Sequence, residues 1–251
     1  MFAEKKLATC FGLGQFCDPK FIELIGTVGG WDAVWLDQEH AGLTIEQISH
    51  AARAAKLVGL DCFARVAPTD YATVMRPLEV GCYGIMAAQV RSTAQAAQII
   101  EWAKFYPQGM RGVNSSGVDG AFGTLPMADY MRKANDDTYV IIQIEHQDAV
   151  NCVEEIAALK HLDALFIGPA DLSQSMGLPG GTDHPKVIEA VERVAAACKK
   201  SGIAWSILPK DPALSKRCVE LGCGMLSLGT DNMALIRGLR SLHADFDALR
   251  K

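Results

Sequence analysis

The sequence predicts an α/β chain folded as a single (β/α)8 TIM barrel over residues 1–251, and three observations predict it. First, eight short apolar, β-rich runs recur along the chain, and most are continuous rather than alternating. That is the pattern of parallel strands covered on both faces. Second, helical patterns with start and stop signals fill most of the gaps. Third, 251 residues is the size of eight such units closed into a barrel. An open doubly wound sheet is the alternative, but it asks for a G-x-G-x-x-G turn after the first strand, and "GLGQFC" lacks that spacing.

The elements follow in order. "LATCFGL" from Leu7 is the first strand and "AVWLD" from Ala33 the second. "LTIEQISHAARAAKLVG" is a helix with Thr44 as N-cap, Gln47 three places on as capping-box partner, and Gly59 as stop. "DCFARV" from Asp61 and "YGIMAAQV" from Tyr83 are strands three and four, followed by the helix "STAQAAQIIEWAKF", capped by Ser92 or Thr93. "YVIIQIE" from Tyr139 and "ALFIGP" from Ala164 are strands five and six. The helix "HPKVIEAVERVAAACKKSG" starts at a proline and stops at a glycine, and "DPALSKRCVELG" repeats that grammar after strand seven, "IAWSIL" from Ile203. "MLSLGT" from Met225 is strand eight, and an amphipathic helix from Asp231 closes the chain. The stretch from Tyr106 to Pro126 breaks the rhythm, too long and glycine-rich for a plain connector, and such loops are usually functional or mobile.

Composition narrows the function classes. Forty-nine per cent apolar residues build a large core, and a net charge of −5 with acids and bases intermixed offers no basic stripe for nucleic acid. No apolar run approaches the roughly 20 residues that span a bilayer, so no membrane partner is expected. Lys5 and Lys6 precede only a short apolar stretch, without a small-residue cleavage site, so no secretory leader is expected. Eight scattered cysteines with no C-x-x-C pair suit reduced, buried thiols in a cytoplasmic protein.

In a barrel the catalytic face is the C-terminal end of the strands. Strand two delivers Asp37, Glu39 and His40 there; strand three delivers Arg65; strand five delivers Gln143 and Glu145, two apart and so on one side; strand six runs through "FIGPAD" to Asp171. Glu145 and Asp171 suit a hard divalent ion such as Mg²⁺ or Mn²⁺. The bland alternatives are that Asp171 caps the helix "LSQSM" and that Glu145 is a solvated strand terminus. Arg65, set among apolar residues in "FARVAP", needs an anion to justify its desolvation. Asp37 is the carboxylate expected to align the His40 imidazole, and Gly42 lets the following loop bend over the site. Glu39 belongs to the loop or stands behind the residues that touch substrate, with no chemistry assigned. His146, adjacent to Glu145 and so pointing the other way, is read as structural, with His50, His161, His184 and His243.

"DAVWLDQEHAGLT", "RVAP", "QGMRGVNSS", "DYMRKANDD", "VIIQIE" and "LDALFIGPADLSQSMGLPGGTDHPKV" resemble the HpcH/HpaI aldolase/citrate lyase family, in particular its metal-dependent class II pyruvate aldolases. The resemblance runs from about residue 7 to the last helix and implies a barrel that cleaves 4-hydroxy-2-oxo acids to pyruvate, or a related 2-oxo acid, and an aldehyde. It implies Glu145 and Asp171 as ligands of Mg²⁺, Mn²⁺ or Co²⁺, His40 as acid/base, and Arg65 as stabiliser of the enolate. Gln143, the backbone at Ala170, and Asp171 would hold substrate. Glu79 falls where the family has an aspartate that modulates the histidine. It further implies a homo-oligomer, trimer or hexamer. Gln38 replaces the usual glycine of "DGEH", and "MAAQV" replaces a proline-containing run; both touch the rim where the aldehyde is chosen, as does the loop around Arg111 and Gly112.

Three rivals remain. A Schiff-base aldolase needs a desolvated lysine, and the only lysine at a strand end is Lys210, in a turn that reads as solvated. A lyase acting on CoA thioesters needs a basic nucleotide clamp that is not obvious here. A non-catalytic oxo-acid-binding barrel would not require acid/base residues beside the ligands.

Overall fold

The computed structural model describes residues 6–247. Eight parallel strands pair in sequence order and the last returns to the first, closing the barrel: β1 (Ala8–Leu13), β2 (Ala33–Asp37), β3 (Asp61–Val66), β4 (Gly84–Ala87), β5 (Tyr139–Ile144), β6 (Ala164–Ile167), β7 (Ala204–Ile207) and β8 (Met225–Thr230). All eight coincide with the apolar runs of the sequence. The helices are α1 (Pro19–Val28), α2 (Ile45–Leu57), α3 (Tyr71–Glu79), α4 (Thr93–Ala103), α5 (Met127–Asp137), α6 (Gln147–Asn151), α7 (Val153–Ala157), α8 (Pro169–Ser175), α9 (Pro185–Ser201), α10 (Pro212–Glu220) and α11 (Asp231–Ala244). The N-terminal stretch on which the leader expectation turns lies partly outside the described residues.

Local signals set the boundaries. Thr44 and Gln47 form the reciprocal capping box of α2, Ser92 caps α4 through the Gln95 amide, and Asp211 caps α10 through Leu214. Each such cap stabilises its helix by about 1 kcal/mol. His146 and His184, read as structural, are caps too: each accepts an amide hydrogen bond at Nδ1, from Asp148 and Lys186 respectively.

The barrel interior is filled by Trp35, Phe63, Met86, Ile141, Phe166 and Met225, while separate apolar clusters glue the outer helices to the strands. Because side chains alternate along a strand, the next inward positions above Trp35, Phe63 and Ile141 are Asp37, Arg65 and Gln143. An apolar plug therefore gives way to a polar layer at the C-terminal mouth. Register completes the placement, since Asp37 is the cross-strand partner of Arg65.

One helix departs from the ring. In α11 only Asp231 is buried, and Met233, Ile236, Leu239 and Leu242 are exposed. The loop from Tyr106 to Pro126 carries only a short 3₁₀ turn at Ala121–Gly123 and is pinned from within: the Arg111 guanidinium, stacked 4.6 Å from the Phe105 ring, pairs with Asp119 at 2.6 Å, and the Tyr130 hydroxyl donates to Asp119 at 2.7 Å. Among the described residues all eight cysteines are free thiols, six of them buried, and no helix is long and apolar enough to cross a membrane.

Candidate active site at the barrel mouth

Arg65 is the best-fixed side chain of the mouth. Its Nε donates to Asp37 Oδ1 at 3.1 Å and its terminal nitrogen to Asp37 Oδ2 at 2.7 Å, a bidentate pair that fixes the plane of the guanidinium. The Trp35 ring lies 4.8 Å beneath it, and the indole is itself tied to Ser227 at 3.0 Å. Glu39 approaches from the third side, 3.4 Å from Arg65 Nε.

Asp37 does not do what the sequence suggests for it. Its Oδ1 accepts from the His40 backbone amide at 3.1 Å and its remaining capacity goes to Arg65, so it braces the turn rather than the imidazole. The carboxylate beside the imidazole is Glu39, whose Oε2 lies 3.7 Å from His40 Nε2. The Glu39 side chain is 8% exposed against 60% for His40, a buried acid under an open base. Burial pushes the Glu39 carboxyl above its ordinary range, and Arg65 and His40 oppose that shift. Gly42 does turn the chain here, in the left-handed region at φ +64°.

Glu145 is not a solvated terminus. It is 2% exposed, one oxygen accepts the Gln89 amide at 2.7 Å, and the other accepts from Gln143 Nε2. Its carboxyl is pushed up to about 7, first by burial and then by the neighbouring charges of Glu39 and Asp171, which the Gln89 hydrogen bond and Arg65 offset only in part. Asp171 is not an N-cap either: the cap position of α8 is Gly168, and Asp171 is the third residue of the helix, in its first turn with Ala170. Gly168 is dictated by the site, because a Cβ there would stand 2.8 Å from Glu145 Oε2 and 2.9 Å from Gln143 Nε2.

The chemistry of this set fits a divalent cation. Three carboxylates, Glu39, Glu145 and Asp171, feel one another with one guanidinium to balance them, and the buried Gln143 Oε1 and Glu39 Oε2 have no hydrogen-bond donor. Among the described residues no three His, Cys, Asp or Glu side chains form a metal cage by themselves. Two carboxylates with the remaining positions left to water and substrate is the arrangement a hard cation uses.

Glu79 is not brought to this group. It ends α3, its neighbours are Arg111, Asp119 and Asn114, and burial raises its carboxyl while Arg111 lowers it. Arg111 itself is held inside the loop with Asp119. Lys210 pairs with Asp183 at 2.7 Å on the surface, as its solvated reading requires. A desolvated lysine does exist, Lys104, but its Nζ donates to the carbonyls of Asn135 (2.9 Å) and Thr138, next to the start of β5 and so at the opposite end of the barrel. The sequence assigns no chemistry to Glu39, and it places Gln89 only as a strand-four end residue, without announcing its left-handed backbone (φ 56°). Gln89 also lines a 440 Å³ cleft with Pro68, Thr69, Val90, Gln98 and Trp102.

Known proteins resemble this chain along most of its length. The family profile described as HpcH/HpaI aldolase/citrate lyase matches residues 17–238. A 5-keto-4-deoxy-D-glucarate aldolase of Klebsiella pneumoniae is 32% identical over 222 residues, 87% of this chain and 86% of the relative. A hydroxypyruvate/pyruvate aldolase of Pseudomonas aeruginosa is 32% identical over 229 residues, covering 91% and 85%. Among solved structures, an HpcH/HpaI aldolase from Desulfitobacterium hafniense superposes with a TM-score of 0.91 at 31% identity, covering 98% of this chain and 95% of the other.

Proposed function

The chain belongs to the HpcH/HpaI aldolase/citrate lyase family and is an aldolase, a carbon–carbon lyase; we propose that it cleaves 4-hydroxy-2-oxo acids to pyruvate, or a related 2-oxo acid, and an aldehyde through the residues of the barrel mouth. The observation that carries the reading is the convergence of a braced arginine and three carboxylates on one buried polar layer beneath an exposed histidine.

Glu145 and Asp171 are the residues that would hold Mg²⁺, Mn²⁺ or Co²⁺. Bound there, the cation supplies Lewis-acid polarisation of the 2-oxo acid. The chain's own residues do the rest. His40 takes the proton of the 4-hydroxyl, the electron pair of the C3–C4 bond passes to C3, and C4 leaves as the aldehyde carbonyl. Arg65, rigid between Asp37, Glu39 and Trp35, faces the negative charge of the enolate without having to reorganise. The Gln143 carboxamide and the Ala170 backbone amide orient the 2-oxo acid, and the cleft beside Gln89 offers room for the aldehyde portion. Protonation at C3 releases pyruvate.

The test is pyruvate release from a panel of 4-hydroxy-2-oxo acids, with the reverse addition of pyruvate or hydroxypyruvate to semialdehydes, glyceraldehyde and glycolaldehyde. EDTA abolishes the activity, and Mg²⁺, Mn²⁺ or Co²⁺ restores it. Full activity in metal-stripped protein contradicts the cation's part, and no release from any member of the panel contradicts the substrate class.

The small-molecule partners are thus a 2-oxo acid and an aldehyde. A homo-oligomer, trimer or hexamer, is part of the same reading. Its support is α11, whose apolar residues lie bare while Leu24 and Val28 on α1 are 52% and 71% exposed. Light scattering on the intact chain gives a multi-chain mass, and a monomer contradicts it. The free thiols favour a reducing compartment, the cytoplasm.

A further inference from the structure

Three acids, Asp37, Glu39 and Glu79, are candidates for the partner of His40, and within the chain the structure tells them apart by what surrounds them. Both Asp37 oxygens are engaged by Arg65 and one also by the His40 amide, so Asp37 is turned toward the guanidinium and the turn backbone. Glu79 lies among the residues of the Tyr106–Pro126 loop. Glu39 Oε2 is buried with no hydrogen-bond donor, and Arg65 Nε lies 3.4 Å and His40 Nε2 3.7 Å from it. Buried acceptors are almost always satisfied, and the exceptions in folded proteins cluster where a partner arrives during function. The one hydrogen on Arg65 Nε, the guanidinium nitrogen beside Glu39, already goes to Asp37 Oδ1. The imidazole can supply that partner, because it is 60% exposed and free to rotate the few tenths of an ångström that separate 3.7 Å from a hydrogen bond.

We propose that Glu39 is the positioning residue of His40, accepting the Nε2 proton so that Nδ1 is the unprotonated nitrogen offered to the substrate hydroxyl. The inference rests on the aldolase reading above and deepens it by assigning the partner of the base. A base whose far nitrogen is held by a carboxylate keeps one tautomer and one orientation, and the imidazolium formed when it takes the 4-hydroxyl proton is stabilised by the same charge. Because Glu39 also stands against Arg65, it fixes the distance between the base and the group that receives the enolate charge.

Three measurements on the metal-loaded enzyme decide it. Glu39→Gln lowers kcat for cleavage by about 10- to 100-fold, the usual consequence of losing a carboxylate behind a functional histidine, and changes KM less than about threefold. In a His40→Ala background the same substitution causes no further loss, because the residue acts through the imidazole. Glu39→Asp recovers part of the rate. Wild-type turnover in Glu39→Gln overturns the proposal, and so does a loss that multiplies with that of His40→Ala, which would mean that Glu39 works through Arg65 alone. If Glu39→Gln does not fold, the imidazole ¹⁵N shifts of the unsubstituted protein carry the test: a protonated Nε2 on His40 supports the assignment, and a protonated Nδ1 overturns it. Pyruvate release by the wild type is measured alongside, so that failure of the aldolase reading is recognised separately.

Discussion

The two ends of this barrel bury similar polar groups and treat them differently. At the N-terminal end, Lys104 is 3% exposed and donates to two backbone carbonyls, while the Asn135 side chain exchanges hydrogen bonds with both backbone groups of Phe105, at 2.7 and 3.0 Å. Asp163 accepts the Val140 amide at 2.8 Å, and the Tyr139 hydroxyl reaches Asp61 at 3.0 Å. At the mouth, by contrast, Gln38 Oε1, Glu39 Oε2 and Gln143 Oε1 are buried without a donor, and Glu145 is held near neutrality by burial among other acids. Beside Lys104, only Arg111 Nε among the described buried side-chain atoms is left without a partner, whereas the mouth keeps three acceptors in reserve. Burial of charge alone does not mark a site in this molecule; buried charge surrounded by several unused acceptors does.

The largest expected effect breaks the mouth. Arg65→Ala removes the charge that faces the enolate and lowers cleavage by about a thousandfold or more, and it also removes proton exchange at C3 of pyruvate. Exchange that survives, followed by loss of the methyl signal in deuterated solvent, places the stabilising charge elsewhere.

Gly168→Ala comes next. Its backbone φ of −97° suits alanine, so the cost is purely steric, at 2.8 Å from Glu145 Oε2 and 2.9 Å from Gln143 Nε2. Activity falls by about a hundredfold, as for other ångström-scale displacements of catalytic groups, while the melting temperature moves little. A variant that melts far below wild type would show that Gly168 serves the fold rather than the site.

Lys104→Met inverts the pattern. It strands the carbonyls of Asn135 and Thr138 and costs about 1–3 kcal/mol of stability in urea unfolding, with kcat of the folded fraction near that of the wild type. A catalytic collapse without loss of stability would put Lys104 in the chemistry and revive the Schiff-base reading. Smallest is Lys210→Ala: an exposed pair with Asp183 is lost, and neither rate nor stability shifts by more than a few tenths of a kcal/mol.

How much of this was legible follows from the period of each element. Strands β1 to β8 were readable as short, mostly continuous apolar runs, Asp37 and Arg65 as residues at their C-terminal ends, and the shared direction of Gln143 and Glu145 from parity along the strand. Parity ends where the strand ends. Past Asp37 the chain enters a turn, and nothing in "QEHAG" says that Glu39, rather than Asp37, meets the imidazole. Gln89 was readable as a strand-four end residue, but its left-handed backbone was not, because a sequence announces that conformation only at glycine. The helices α1, α3, α5, α6 and α7 went unread, α3 in part because Pro77 sits inside it. Lys104 looked like any helix-terminal lysine, since its acceptors come from residues more than thirty positions away. The amphipathic pattern of α11 was visible, but a pattern states that a face wants cover and not which surface covers it.

The central claim is that Glu145 and Asp171 together hold one divalent cation opposite Arg65. Titration of the metal-stripped protein with Mn²⁺, followed by the loss of its free paramagnetic resonance signal, measures that claim without recourse to turnover. One Mn²⁺ bound per chain in the wild type, and none in Glu145→Gln or Asp171→Asn at the same concentration, is the predicted result. Undiminished binding in both variants would contradict it.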